Sequence, residues 1–206
     1  MWKLLSRSVW VVALAWTAFV TAPARAADEP TAFIQTLGDN AIVILKNRDV
    51  GQKEREAKFD KLLSEDFDVT EIGRFVLGRY WRLATPEQQE KYLKVFRVYI
   101  LAVYAHRFAD YSGEKFVAAA SQPTADGASV ASQIVRPDGG PPINIVWKIT
   151  KQDGGYKIHD VIVENLSMTV TERDEFSSII ERAGGGAAGI DALDAMLEQK
   201  TIANGG

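Results

Sequence analysis

The sequence predicts an α+β domain in which N-terminal helices pack on a curved four-stranded antiparallel meander and further helices close the chain. Three observations predict it. Apolar residues recur at helical spacing from Thr31 to about Asp110, the period shortens to two between Lys115 and Glu164, and it lengthens again after Thr171. Connections within the middle stretch are short, so its strands neighbour one another in antiparallel order. At 206 residues, 47% hydrophobic, 10% aromatic and 25% charged, the chain has the composition of a globular protein and the size of one domain.

The first 26 residues differ in kind. Lys3 and Arg7 give a positive start, Val9 to Val20 is an uncharged apolar run, and Ala24-Arg25-Ala26 supplies the small residues that a signal peptidase reads. Cleavage is expected before Ala27, because the apolar run falls short of the roughly 20 residues a membrane span needs. Residues 27–206 are then a single domain, exported to the periplasm. Loss of Lys3, Arg7 and Arg25 takes the 24 basic residues to 21 against 27 acidic ones, a net charge near −6. An acidic chain offers no electrostatic footprint for nucleic acid and adsorbs poorly to anionic headgroups. Cysteine is absent, so there is no disulfide and no lipidated cysteine at the cleavage site, and stability must come from an apolar core.

Ile34, Leu37, Ala41 and Ile44 place a first amphipathic helix over Thr31 to Asn47, interrupted at Gly38. The run DVGQKEREAKFDKLLSEDFD is dense in both charges and reads as a solvated helix face anchored by Phe59, Leu62 and Leu63. Asp68, three residues before Glu71, caps a short helix that Gly78 stops. Thr85-Pro86-Glu87-Gln88 then combines an N-cap, a proline at the first helical position and a glutamine reaching back, and opens a helix running to about Asp110. Its stripe carries Tyr92, Phe96, Tyr99, Val103 and His106.

Four strand-like runs follow, KFVAAASQ, ASVASQIVR, INIVWKITK and YKIHDVIVE, broken at Asp126-Gly127, at Asp138 to Pro142 and at Asp153 to Gly155. The third puts Ile143, Ile145, Trp147 and Ile149 on one face, a natural partner for the long helix. A helix is expected from Thr171, ending at the three glycines 184–186, and Ile190, Leu193 and Leu197 mark another.

Little chemistry can be built from these residues. His159 and Asp160 are successive strand positions and point to opposite faces, so they cannot jointly hold a metal. No serine lies in a GxSxG turn, and the three glycines lack the Lys-Ser/Thr ending of a phosphate loop. No metal, cofactor or catalytic group is expected. The positive signal is a surplus of apolar and aromatic side chain between Phe67 and Phe108. Such a surplus either closes on a sheet as a plain core or leaves an apolar cavity between helix and sheet.

The segment LGRYWR followed by TPEQ, the strand YKIHDVIVE, and the run Ser167, Arg173, Phe176 resemble the MlaC-type periplasmic phospholipid-binding proteins, the toluene-tolerance auxiliary family, from about Phe33 to Leu197. The form SMTVTERDEF is similar to the branch associated with hopanoid biosynthesis. The resemblance implies a carrier that encloses the acyl chains of a phospholipid, or alternatively a hopanoid, in an apolar cavity. It also implies partners: an inner-membrane ABC transporter complex and an outer-membrane lipid-transfer complex. An acyl chain of about fifteen methylenes costs roughly 12 kcal/mol to hold in water, so a carried lipid needs a dry container.

On that resemblance Phe75, Val76, Tyr80 and Trp81 line one side of the pocket. Phe96, Tyr99, Ile100 and Val103 face the sheet, and Ile145, Trp147, Ile158 and Val161 form the floor. Arg79 and Arg82 either hold a phosphate or hold helix ends. Glu164-Asn165 departs from the small residue usual in the family after the DV strand, at the pocket mouth. Two other classes stay open beside the carrier: a cone-shaped α+β enzyme acting on an apolar substrate, and an interaction module with a filled core.

Overall fold

The computed structural model describes residues 28–47, 51–108 and 111–204, by backbone alone at 52 and over 105–108. The expected signal peptide and its cleavage site lie outside the described residues, and so does the side chain of His106. The described residues form α1 (Glu29–Lys46), α2 (Gln52–Asp66), α3 (Val69–Leu77), a 3-10 turn (Gly78–Arg82), α4 (Pro86–Phe108), strands β1 (Lys115–Pro123), β2 (Gly127–Val135), β3 (Ile143–Gln152), β4 (Gly155–Val163) and β5 (Leu166–Ser167), then α5 (Met168–Arg182) and α6 (Gly186–Ala203).

The strands lie in the order β1-β2-β3-β4-β5, each antiparallel to the next, so the meander is observed with one strand more than the four expected. The additional strand is two residues long, too short to carry a period. It exists because Glu164 and Asn165 both take positive φ, 46° and 68°, and turn the chain back in a two-residue hairpin. Glu164 Oε1 accepts from the Asn144 backbone N–H at 2.5 Å, tying the turn to the start of β3.

Both expected helix starts are present. Thr85 N–H donates to Gln88 Oε1 and Gln88 N–H donates to Thr85 Oγ1, each at 3.2 Å, which is the reciprocal capping box opening α4. Asp68 Oδ1 accepts from Glu71 N–H at 3.1 Å, and Gly78 ends α3 at φ 60°. The Thr171 start is corrected. Helix α5 begins at Met168, because Ser167 Oγ accepts from Val170 N–H at 3.1 Å and serves as the cap.

Gly38 does not interrupt α1. A Cβ there would lie 2.0 Å from Phe116 Cδ1, so the missing side chain lets α1 settle onto β1.

The helices divide their work. α1 covers β1 and β2, α2 bridges α4 and β4, α3 packs on α5 and α4, and α6 closes against α4 and α5. Two separate apolar clusters result, where a domain of this size ordinarily has one contiguous core. A helical cluster joins Val76, Leu77, Tyr80, Tyr92, Phe96 and Tyr99 to Phe176, Ile179, Ile180, Ile190, Leu193 and Leu197. A sheet cluster joins Ile34 and Leu37 of α1 to Ala128, Val130, Ile149 and Ile158.

Candidate functional site

Cross-strand register puts the sheet's apolar side chains on one inner face in successive rows. Phe116 pairs with Ile134 and Ile134 with Ile143; Ser132 pairs with Ile145 and Ile145 with Val163; Val130 pairs with Trp147 and Trp147 with Val161. A last row, Ala128, Ile149 and Ile158, lies under α1 and is fully buried. Cover therefore runs out along the strands. At the opposite end Ile134, Ile143 and Val163 are half-buried, Ile145 is buried, and none of the four belongs to either apolar cluster.

Trp147 stands at the boundary between the covered and uncovered ends. Its indole Nε1–H donates to the buried Ser132 Oγ at 2.8 Å, and its ring meets Phe116 edge-on at 6.1 Å. Both contacts fix the indole, so it can act as a rigid apolar wall.

The sheet residues expected at the floor, Ile145, Trp147, Ile158 and Val161, do share one face. The helical residues are arranged otherwise. Phe96 and Tyr99 were expected to lie on the sheet, and this is corrected: their rings pack on Phe176 of α5 at 6.2 and 6.1 Å, and Phe96 also stacks on Tyr92 at 5.6 Å. The returning C-terminal helices present Phe176, Ile179, Ile180, Ile190, Leu193 and Leu197, and the stripe packs on these. Val76 and Tyr80 are buried in the same helical cluster, with Trp81, Ile100 and Val103 half-buried at its fringe. Phe75 stands 42% exposed, with the Arg173 guanidinium 5.1 Å from its ring centre.

Arg79 has a structural partner. Its guanidinium donates to Glu181 Oε1 at 2.5 Å and to the Tyr80 hydroxyl at 2.9 Å, fastening the 3-10 turn to α5. Arg74 covers Trp81 at 5.2 Å from the ring centre. Burial raises the Tyr99 phenol well above its ordinary range, with Glu172, whose Oε2 accepts from it at 3.5 Å, adding to the shift. An open groove of about 460 Å³ runs along the seam of α4 and α6, lined by Lys94, Val95, Val98, Glu198, Thr201 and Ile202. None of the residues expected at the pocket lines it.

Phe116, Ile134 and Val163 are among the inner-face residues that periodicity did not single out. Each sits in a run whose alternation is blurred by alanines or consecutive Val and Ile, so only pairing register assigns the face. Among the described residues no group of three His, Cys, Asp or Glu side chains could hold a metal, and no helix is long and apolar enough to cross a membrane.

Comparison with known proteins extends these observations. A family model described as MlaC protein matches residues 35–199. The intermembrane phospholipid transport system binding protein MlaC of Haemophilus influenzae is 26% identical over 131 residues, 62% of this chain and 59% of that protein. The toluene tolerance protein ttg2D of Pseudomonas putida is 23% identical over 127 residues, 61% of this chain and 59% of that protein. The chain thus matches somewhat under two thirds of the length of these curated relatives. The structure of a phospholipid-binding protein from Ralstonia solanacearum in complex with a phospholipid superposes with a TM-score of 0.71 at 21% identity, covering 88% of this chain and all of that one, and so shares the fold.

Proposed function

The chain belongs to the MlaC protein family, whose model spans most of its length, and from that premise we propose that it is a periplasmic lipid carrier that holds phospholipid acyl chains between its helical layer and its sheet. The observation that carries this reading is the divided core. Ile134, Ile143, Ile145 and Val163 make an apolar strip on the inner face of the sheet that neither cluster claims. Three of these side chains, Ile134, Ile143 and Val163, are left half-wet beside the buried Ile145 and forgo about 1–3 kcal/mol of burial at about 25 cal/mol per Å². An acyl chain laid along them recovers that energy for both partners.

In this reading Trp147, Val161 and Phe116 continue the floor and Ile158 backs it from beneath α1, while Ile100 and Val103 at the fringe of the helical cluster supply the opposite wall. Val76, Tyr80, Trp81, Phe96 and Tyr99 back that wall from within the helical layer, and Phe75 lies at its edge. The names of the relatives and the phospholipid held by the protein of the same fold support the ligand class and a transport role in place of catalysis. Exchange with an inner-membrane ABC transporter complex and an outer-membrane lipid-transfer complex follows from the same reading.

Purified protein extracted with organic solvent is expected to release phospholipid, identified by mass spectrometry, and the delipidated protein to take up labelled phospholipid from vesicles. Release of no lipid together with no uptake would overturn the proposal. Recovery of a hopanoid alone would replace the phospholipid as ligand.

A further inference from the structure

Asp194 lies on α6 in the middle of the helical cluster, between Leu193 and Leu197 and with no solvent exposure. Neither of its carboxyl oxygens has a hydrogen-bond partner, and it is the one side chain among the described residues whose buried polar atoms are left so. A buried carboxylate without donors is costly, and natural structures rarely keep one without a reason. Its nearest cation is Lys91 of α4, whose Nζ lies 3.7 Å from Oδ2, inside ion-pairing range and beyond hydrogen-bonding distance. The Lys91 side chain is half in solvent, so the pair does not repay the desolvation of the acid.

We propose that Asp194 is a protonation-controlled latch on the seam between α4 and α6, closed when the carboxyl is neutral and strained when it is ionised, with Lys91 setting the pH at which it opens. The surrounding charges point the same way. On α6 itself, Asp191 and Glu198 flank Asp194 and oppose its negative charge. From α4, Lys91 is the counter-ion, while Lys94 is engaged by Glu90 at 2.6 Å. The neighbouring Tyr92 hydroxyl donates to the Gly73 carbonyl at 3.1 Å and turns no proton toward the acid. From α5 come the apolar Ile179 and Ile180, and the Glu175 carboxylate there is taken by Lys200. Burial is the largest influence on the Asp194 carboxyl and lifts it to about 6, against the pull of Lys91.

The sign follows from linkage. The folded chain holds this proton up to about pH 6, whereas an unfolded aspartate releases it near pH 3.9. Stability contributed by the neutral carboxyl is therefore fully present below about pH 4 and is lost progressively as pH rises to and through about 6. A folding equilibrium about tenfold more favourable at about pH 5 than at about pH 7.5 is expected from this group alone. The latch belongs to the helical layer and needs no ligand, so its failure leaves the carrier reading untouched.

The test is denaturant unfolding of the whole chain in steps from about pH 4 to about pH 8, with hydrogen exchange across Gly186–Ala203 corrected for intrinsic rates. The parent protein should gain about tenfold more in folding equilibrium on acidification from about pH 7.5 to about pH 5 than Asp194→Asn does, and the stronger protection of α6 at low pH should be lost in that variant. Lys91→Met, which removes the counter-ion and leaves the acid in place, should move the midpoint of the transition to higher pH. Equal pH dependence in the parent and Asp194→Asn, or a Lys91→Met midpoint that does not move, would overturn the proposal.

Discussion

Asp160 shows how much of this architecture rests on single side chains. Its Oδ1 accepts from the Val161 and Thr169 backbone N–H groups at 2.8 and 3.2 Å and from the Thr169 hydroxyl at 2.9 Å, and its Oδ2 accepts from the Ser167 hydroxyl at 2.8 Å. One carboxylate thus closes the β4–β5 hairpin and the start of α5 together. Asp160→Ala strands those donors and is expected to lower stability by about 2–4 kcal/mol, measured by denaturant unfolding; an unchanged midpoint would show that the network carries no net energy. In the sequence Asp160 was legible only as a residue that could not join His159 in a metal site. Its partners lie seven and nine residues away across a turn, and that distance hides the cluster. The capping box of Thr85 and Gln88 was legible because its four residues are consecutive and its geometry is local.

Among the elements, α4 is the instructive case. Its start, its length and its apolar stripe were all written in the sequence, yet the stripe's partner was not. A helical period states which residues share a face and is silent on what meets it. Phe176, fully buried between Phe96 and Tyr99, decides the matter in favour of α5. Phe176→Ala should therefore cost about 3–5 kcal/mol of stability, seen as a lowered Tm. Were α4 seated on the sheet instead, the same substitution would be nearly silent. The start of α5 was misplaced by three residues for a related reason: Ser167 belongs at once to β5 and to the helix cap, and β5 is too short to announce itself.

For the whole molecule, the layers were legible and the division of the core into two clusters was not. Two changes of period gave helices, meander and helices, and short turns gave the strand order. What separates the two apolar clusters is register, which brings Ile134, Ile143, Ile145 and Val163 together at the end of the sheet that α1 leaves uncovered. Under the proposed function acyl chains lie on that strip. The direct measurement is photo-crosslinking, with a photoreactive residue placed at Ile143 on the inner face or, as a control, at Val43 on α1, which is 66% exposed, in delipidated protein loaded with phospholipid from vesicles. A lipid adduct at Ile143 with none at Val43 is the predicted result, and no adduct at Ile143 in protein that has bound lipid would contradict it.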